Sequence, residues 1–359
     1  LIRYYVHLAP ELLAHKTIAT QASLSQVRFE PLGVVLAVMP WNYPVWQILR
    51  FAIPALCAGN ACAVKPAPSV ARVSETLFSL IPKGLPLIGA WLNHEDTLKA
   101  IEDTDAMAFT GSTHTGRLLA AHAGRHLKKN VLELGGSNPF IILPDADLQR
   151  AAIDACYSRF RDAGQSCNAA KRIVVTQDIA EQFIPLFLAE CAKLQTGNPK
   201  DPNTTLAPLH RQDLRQTVHE QVEDAVTHGA QCLSGGYIPE GESWFYPATV
   251  LDQVNPNCRV WHEEVFGPVA MILRADNPDH AVALANDTPF GLGACIYTAD
   301  TANAWQYAEK IQAGSVFINR HTSSDLRLPF GGVKASGYGR ELSEFGLYEF
   351  VNVKTYWQK

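Results

Sequence analysis

Short apolar runs alternate with amphipathic stretches along most of the chain. Residues 33–44 begin as a buried strand and end in a loop that contains Pro40 and Pro44. A stretch with helical spacing follows over 45–59, and residues 60–68 form a second strand that ends in a proline-rich loop. This strand–helix–strand order is the building unit of a parallel sheet. It recurs through the rest of the chain, so the pattern predicts an α/β protein.

A Gly-Gly turn separates two such series. The strand in "KNVLELGG" ends the first series, and helices alternate with strands again from about residue 147 onward. We therefore predict two α/β domains with a boundary near Leu134–Gly136.

Two segments lie outside this alternation, residues 24–32 and the C-terminal stretch "LYEFVNVKTYW". Both alternate apolar and polar residues, which is typical of an exposed strand. A strand that its own sheet does not need is available for another subunit, although an edge hairpin within one chain has the same pattern. We favour the subunit contact.

Composition narrows the class of protein. The 359 residues are 47% hydrophobic and 18% charged with a net charge of −5, which argues against a nucleic-acid or anionic membrane surface. No apolar run reaches the ~18 residues that span a bilayer. The eight cysteines are scattered, without C-x-x-C pairs or zinc-type Cys/His spacing. We expect free thiols, a reducing compartment such as the cytoplasm, and no metal site.

Cys167 is the first candidate for chemistry. It lies in "RDAGQSCNAAKRIVV", between small residues that leave room around the sulfur. Arg161 and Lys171 add positive charge, which favours a thiolate if they lie close in space. A lone cysteine is more often a small buried hydrophobe, so this segment alone leaves both interpretations open.

Two polar residues lie where predicted strands end. Glu133 precedes the Gly-Gly turn, where a buried carboxylate is either a structural acceptor for backbone amides or a general base with a raised pKa. Asn42 follows a buried strand, where its amide either holds an Asx turn or donates to an oxyanion. For each residue taken alone, the structural interpretation is the commoner one.

A second set of residues suits a nucleotide. "FTGSTHTG" (109–116) is a strand-to-helix turn whose amides suit a phosphate. Lys65 ends a strand, where an ammonium reaches ribose or phosphate oxygens, and "HEEVFGPV" sets Glu263 and Glu264 beside Phe266. None of these features is specific by itself.

Their order along the chain is specific. The motifs "PWNYP", "VKPAP", "FTGSTHTG", "LELGGSNP", "GQSC", "EEVFGP" and "PFGGVKASGYGRE" closely resemble the aldehyde dehydrogenase superfamily, from about residue 5 to the C-terminus. The resemblance implies a Rossmann-like cofactor domain (1–20 and 32–134) and a second α/β catalytic domain (135–335). It also implies oligomerisation strands (21–31 and 346–359) in a homodimer or homotetramer.

Chains of this superfamily typically extend further at the N-terminus. The present chain opens on "LIRYYVHLAPELLA", which has no initiator methionine or signal-peptide pattern and is typical of the middle of a helix. We expect the start of the natural protein to be missing.

The resemblance also assigns roles to the candidates. Cys167 matches the family's nucleophile, Glu133 the base that activates the hydrolytic water, and Asn42 the amide of the oxyanion hole. The residues that match the site for NAD or NADP are Trp41, Lys65, Pro68, Gly111, Ser112, Glu264 and Phe266. Pro68 stands where many NAD-preferring relatives have a glutamate that binds the ribose 2′-hydroxyl. Proline neither binds this hydroxyl nor repels a 2′-phosphate, so both cofactors fit.

Within the superfamily, the chain is most similar to the succinate-semialdehyde dehydrogenases. Arg50, Arg161 and Ser324 match the residues that hold the distal carboxylate of that substrate, although each arginine taken alone also suits a salt bridge. The resemblance implies oxidation of succinate semialdehyde to succinate through a cysteine thiohemiacetal and a thioester. The alternative is another small aldehyde, such as glutarate semialdehyde, an aliphatic aldehyde or an aminoaldehyde.

Two further classes of protein are disfavoured. A thiol hydrolase or acyltransferase would need a partner for the cysteine, and no histidine stands in a comparable motif. A non-catalytic relative would have no need of Cys167 and Glu133, and both are present.

Overall fold

The computed structural model describes residues 1–241 and 243–359. It confirms the α/β class, and none of the helices within these ranges is long and apolar enough to cross a membrane. The strands are, in chain order, β1 (Lys16–Thr17), β2 (Leu24–Pro31), β3 (Val34–Val38), β4 (Ala61–Lys65), β5 (Leu87–Gly89), β6 (Ala106–Thr110), β7 (Lys129–Glu133), β8 (Asn138–Ile142), β9 (Ala170–Thr176), β10 (Gln231–Ser234), β11 (Thr249–Asp252), β12 (Val269–Ala275), β13 (Phe290–Gly291), β14 (Ala294–Tyr297), β15 (Val316–Ile318), β16 (Val333–Lys334), β17 (Gly337–Tyr338) and β18 (Val351–Gln358). The helices are α1 (Ile2–Leu12), α2 (Pro44–Cys57), α3 (Ala71–Ser79), α4 (His94–Asp103), α5 (Thr113–Arg125), α6 (Leu148–Phe160), α7 (Gln177–Cys191), α8 (Gln212–Thr227), α9 (Arg259–His262), α10 (Pro278–Asn286), α11 (Thr301–Ala308) and α12 (Ser343–Tyr348).

The described residues form two compact units. The first unit consists of Leu1–Leu134, Ser324–Gly331 and Gly337–Lys359. The second unit consists of Gly135–Ser323 and Gly332–Ser336.

The segment 324–331 departs from the predicted catalytic domain, which ran without interruption to residue 335. Two backbone features join this segment to the later part of the first unit. The Ser343 amide donates to the Leu326 carbonyl (3.0 Å), and the backbones of Phe330 and Glu341 bond each other in both directions (2.7 Å each). Ser324 therefore belongs to the first unit.

The first unit is built on a six-stranded sheet in the order β17-β7-β6-β3-β4-β5. Its strands are parallel except for β17, which runs antiparallel to β7. Side chains of β3 alternate between two apolar clusters: Val35 and Ala37 pack with α2, while Leu36 and Val38 pack with α5. The sheet is therefore covered on both faces. Ligands can reach it only at the ends of its strands, and parallel sheets bind them at the carboxyl ends.

The first unit also contains a three-stranded antiparallel sheet in the order β1-β2-β18. Its long ladder runs from Leu24 opposite Gln358 to Pro31 opposite Val351. The predicted C-terminal strand began too early, at 346, because residues up to 348 belong to α12. Leu347 and Phe350 are buried at helical spacing in the core of the unit, and this packing outweighs the alternating pattern.

The second unit is built on a seven-stranded sheet in the order β10-β11-β12-β9-β8-β14-β15. All its strands are parallel except β10, at one edge. Every residue of the central strand β9 is buried, the charged Lys171 and Arg172 as well as the apolar run 173–175. The turn before β9 carries Cys167, so a rigid strand fixes the backbone that follows the candidate nucleophile.

Candidate active site

The carboxyl ends of the parallel strands carry the site candidates of the first unit. Lys65 is the last residue of β4, and its carbonyl accepts a hydrogen bond of 3.0 Å from the Met39 amide. This bond fixes the start of the loop that carries Trp41 and Asn42. Burial lowers the pKa of the Lys65 ammonium. The structure thus brings the predicted lysine and the predicted loop to one edge of the sheet, where parallel sheets bind ligands.

The turn between β6 and α5 suits an anion. Ser112 caps α5, because its hydroxyl accepts a hydrogen bond of 3.3 Å from the Thr115 amide. The Gly111 amide donates to the Glu133 carbonyl (3.0 Å), and a Cβ atom at Gly111 would overlap the Phe109 ring. A side chain at this position would have to displace the Phe109 ring, and the turn presents the positive end of a helix dipole.

Glu133 is the last residue of β7 and is only 3% exposed. Neither of its carboxylate oxygens has a hydrogen-bond partner among the described residues, so the structural interpretation, which required backbone donors, finds no support. Burial raises the pKa of Glu133 well above its ordinary value, and the Glu341 carboxylate adds to this rise, while Arg50 and Arg340 oppose it. A buried carboxyl group with a raised pKa and unused acceptors is suited to general base chemistry.

Arg50 has a partner that the sequence did not predict. Its guanidinium is 2% exposed, forms an ion pair with Glu341 and lies 4.7 Å from the centre of the Phe330 ring. Burial raises the pKa of Glu341, and Arg50 opposes this rise. The buried Nε of Arg50 has no acceptor within the described ranges, so this guanidinium retains a donor for a ligand.

In the second unit, a tight turn presents Cys167. The backbone adopts left-handed φ angles at Asp162 (56°), Ala163 (53°) and Gly164 (70°). A Cβ atom at Gly164 would overlap the Gly267 carbonyl, so this close approach requires glycine. Cys167 itself is half-buried, which leaves its side chain accessible.

Lys171 connects Cys167 to Glu264. Its fully buried ammonium donates to the carbonyls of Ser166 and Cys167 (2.9 Å each) and lies 3.2 Å from Glu264 Oε1. The same carboxylate oxygen accepts a hydrogen bond of 3.1 Å from the Gly136 amide. Burial lowers the pKa of Lys171, and the Glu264 carboxylate opposes this effect. A cation held so close to the cysteine favours its thiolate form.

Phe266 lies close to the same group. Its ring centre is 5.9 Å from the Lys171 ammonium, and the loop around it is held by the fully buried Arg159, which donates to the carbonyls of Val265 and Gly267. The structure therefore gathers the cysteine, the lysine, the predicted ribose-binding carboxylate and the predicted aromatic residue within one unit.

Arg161 and Ser324 are the remaining predicted substrate residues. Arg161 is 42% exposed, bonds Asp162 Oδ2 (3.1 Å) and lies over the Tyr157 ring. It lines a cavity of about 570 Å³ in the second unit, to which Lys193 also contributes. Ser324 is exposed in the first unit.

Comparison with known proteins places the chain. The model of the aldehyde dehydrogenase family matches residues 1–356. The chain belongs to this family. It is 46% identical over 342 residues to an aldehyde dehydrogenase of Paenarthrobacter nicotinovorans. The aligned region covers 94% of this chain and 75% of that protein. It is 43% identical over 364 residues to the succinate semialdehyde dehydrogenase [NAD(P)+] Sad of Escherichia coli K12. This aligned region covers 99% of the present chain and 78% of the Escherichia coli protein.

A solved relative has the same fold. The crystal structure of succinic semialdehyde dehydrogenase from Streptococcus pyogenes, in complex with NADP+, matches with a TM-score of 0.96 at 34% identity and covers 99% of this chain and 79% of that one. The family resemblance inferred from the motifs is thereby confirmed, together with the Rossmann-like and catalytic α/β architecture.

Sequence reasoning missed Glu341 and Arg159 and treated Lys171 only as a nearby charge. Glu341 ends the motif "PFGGVKASGYGRE", but nothing in that motif indicates Arg50 as its partner. Arg159 gave a stronger signal, because an arginine among the small residues of a buried helix must find acceptors.

Replacing Lys171 by methionine tests its connection to Cys167. Lys171→Met removes the ammonium that the Glu264 carboxylate and two backbone carbonyls share, which costs about 1–3 kcal/mol of stability. We expect slower alkylation of Cys167 by iodoacetamide at neutral pH, with the pH profile moved to higher pH, because the thiolate loses a nearby cation. Mass spectrometry of the modified peptide measures the rate. Lys310→Met, at an exposed lysine of the same unit, is the control. An unchanged pH profile in Lys171→Met would exclude this effect on the thiol.

Proposed function

We propose that this chain oxidises succinate semialdehyde to succinate with NAD or NADP, through a covalent intermediate on Cys167. The observation that carries the proposal is the Lys171 ammonium, which contacts both the Cys167 backbone and the Glu264 carboxylate. It therefore holds the candidate nucleophile close to the candidate ligand of the nicotinamide ribose. Hydride transfer requires this proximity, because the hydride passes from the adduct on Cys167 to the nicotinamide. The relatives from Escherichia coli and Streptococcus pyogenes support the choice of substrate, since both are succinate semialdehyde dehydrogenases.

The residues present fit a nicotinamide dinucleotide. The turn at Gly111 and Ser112 suits the pyrophosphate, the Lys65 ammonium suits the adenosine ribose, and the Glu264 carboxylate suits the nicotinamide ribose. Trp41, Pro68 and Phe266 complete the proposed set. The chemistry that this group supplies when bound is acceptance of the hydride lost by the aldehyde carbon, which leaves a thioester on Cys167.

The chain itself performs the remaining steps. The Cys167 thiolate forms a C–S bond with the aldehyde carbon, and the side-chain amide of Asn42 and the Cys167 amide stabilise the resulting alkoxide. After oxidation, Glu133 takes a proton from water while the water oxygen attacks the thioester carbon. The C–S bond then breaks, the thiolate leaves, and the carboxylic acid is released.

For the distal carboxylate of the substrate we assign Arg50, Arg161 and Ser324. Guanidinium groups match carboxylates with paired donors, and the buried Nε of Arg50 is a donor without an acceptor among the described residues. Arg161 is the cleaner residue to test, because Arg50 is also paired with Glu341 and lowers the pKa of Glu133.

Formation of reduced cofactor from succinate semialdehyde and from hexanal tests the substrate. We expect Arg161→Ala to lose about 10- to 100-fold in kcat/KM with succinate semialdehyde, the worth of one or two charged hydrogen bonds. The value for hexanal should change little. We expect Arg50→Ala to affect both substrates, because it also changes the surroundings of Glu133. Equal losses for both aldehydes in Arg161→Ala would contradict the carboxylate assignment. Faster turnover of hexanal by the unchanged protein would contradict the substrate itself.

The cofactor preference is tested at Pro68, which is exposed three positions after Lys65. We expect Pro68→Glu to lower kcat/KM for NADP about tenfold or more relative to NAD, because a carboxylate repels the 2′-phosphate and binds the 2′-hydroxyl. Pro68→Gln is the matched neutral control and should change the ratio much less. The same ratio in both variants would remove Pro68 from the cofactor site.

In this proposal, the first unit binds the cofactor and the second carries the nucleophile, in a cytoplasmic homodimer or homotetramer. The outer edge of β18 has no partner strand among the described residues, and Val353 and Trp357 are exposed on that strand. These features support the sheet β1-β2-β18 as a subunit contact. Sedimentation equilibrium measures the number of copies.

A further inference from the structure

A group of side chains able to bind a metal lies outside the residues assigned above. Glu102 is near the end of α4, His122 is in the last turn of α5, and His126 is the residue that caps the end of α5. Their ligand atoms lie within 4.8 Å of one another. All three belong to the first unit, and none takes part in the proposed reaction.

The distances within this group suit a single ion. Glu102 Oε1 lies 3.0 Å from His122 Nε2 and 3.6 Å from His126 Nε2. Ligands of a tetrahedral zinc ion lie about 2.0–2.2 Å from the metal, which places them about 3.3 Å from one another. The two imidazole rings are 4.9 Å apart between centroids and tilted by 39°, so small side-chain rotations are enough to direct both nitrogens at one point.

The chemistry of the three ligands selects a class of metal. Two imidazoles and a carboxylate favour Zn²⁺, Ni²⁺, Cu²⁺ or Co²⁺ over Mg²⁺ and Ca²⁺, which prefer ligands that are all oxygen. The position adds to the attraction, because the carboxyl end of a helix carries partial negative charge. Two ligands separated by four residues lie on one face of a helix and require no change of the backbone.

We infer that Glu102, His122 and His126 form a surface site for a divalent transition metal that joins α4 to α5. The inference goes beyond the proposed function and does not depend on it. Sequence spacing alone predicted no metal site, because the third ligand comes from a neighbouring helix and follows no Cys/His motif. The helix that carries both histidines begins at the Ser112 cap, so the metal would fix the opposite end of α5.

Cobalt titration of the full chain tests the site. After treatment with EDTA, we expect one Co²⁺ per chain to give visible d–d bands without the near-ultraviolet charge-transfer band of a cobalt–sulfur bond. The absence of this band distinguishes cobalt bound at the site from cobalt bound to any of the eight cysteines. We also expect Zn²⁺ to raise the unfolding temperature by several degrees, since a ligand that binds only the folded state stabilises it.

Three variants and one control locate the metal. His122→Ala, His126→Ala and Glu102→Gln should each lose the cobalt bands and the thermal shift. His114→Ala, at an exposed histidine of the same helix, should keep both. If cobalt does not bind, or if it binds equally to His122→Ala and Glu102→Gln, the three residues form only a surface ion pair and the inference is wrong. A charge-transfer band in every variant would likewise assign the metal to cysteine.

Discussion

Replacing Cys167 by serine is expected to lower kcat/KM for aldehyde oxidation by about a thousandfold or more. A serine hydroxyl is protonated at neutral pH, whereas a thiol is more acidic and the Lys171 ammonium beside the Cys167 backbone favours the thiolate. Sulfur is also the better leaving group from an acyl carbon, so both halves of the reaction suffer. The measurement is the rate of reduced-cofactor formation at saturating NAD or NADP.

Two controls separate chemistry from structure. Cys232→Ser changes an exposed thiol in the same unit and should retain full activity. Lys171 binds the backbone carbonyl of Cys167, so Cys167→Ser should still bind cofactor and unfold at an unchanged temperature. Full turnover by Cys167→Ser would refute the covalent mechanism, whatever the substrate proves to be.

Glu133→Gln is expected to stop the reaction at a different point. Loss of a general base lowers a rate by about 10²–10⁴-fold. Here the steady-state turnover rate should fall, because hydrolysis of the thioester depends on the water that Glu133 activates. The first turnover does not need this base, so rapid mixing should still give a burst of reduced cofactor. An acyl group on Cys167 should then be visible by mass spectrometry. A variant without a burst would place Glu133 before oxidation instead.

The pH dependence has a definite sign. Burial and Glu341 raise the pKa of Glu133, so the carboxylate form that accepts the proton is lost as the pH falls through this raised value. Hydrolysis of the thioester should accelerate with rising pH in the unchanged protein and lose this dependence in Glu133→Gln.

Stability should move in the opposite direction. A carboxyl group whose pKa is raised by folding destabilises the native state once the pH exceeds its unfolded value. Glu133→Gln should therefore unfold at a higher temperature than the unchanged protein at pH 8.

Strands buried on both faces were the easiest elements to predict. Strand β9 carries the apolar run 173–175 because this strand is buried on both faces, and the helix–strand alternation around it follows from the parallel sheet. The C-terminal segment was harder, because Leu347 and Phe350 fit both an alternating strand and a short helix. Only packing against the first unit selects the helix.

The site was predictable where motifs are local and unpredictable where partners are distant. Cys167, Glu133 and Asn42 stand in recognisable segments, and their roles remain predictions that the variants above test. The ion pair of Arg50 with Glu341 joins opposite ends of the chain. Neither local segment specifies the other, since the two residues are distant in the sequence and meet only in the folded unit.

The contact between Lys171 and Cys167 also determines how the protein responds to oxidants. Burial raises the pKa of Cys62 to about 12 and also raises the pKa values of Cys57 and Cys295, so these thiols stay protonated and react slowly. Hydrogen peroxide attacks thiolates and converts them to sulfenic acids. The cation that prepares Cys167 for an aldehyde thus also prepares it for attack on peroxide, and thiol reductants or a bound aldehyde should protect the enzyme in an oxidising cell.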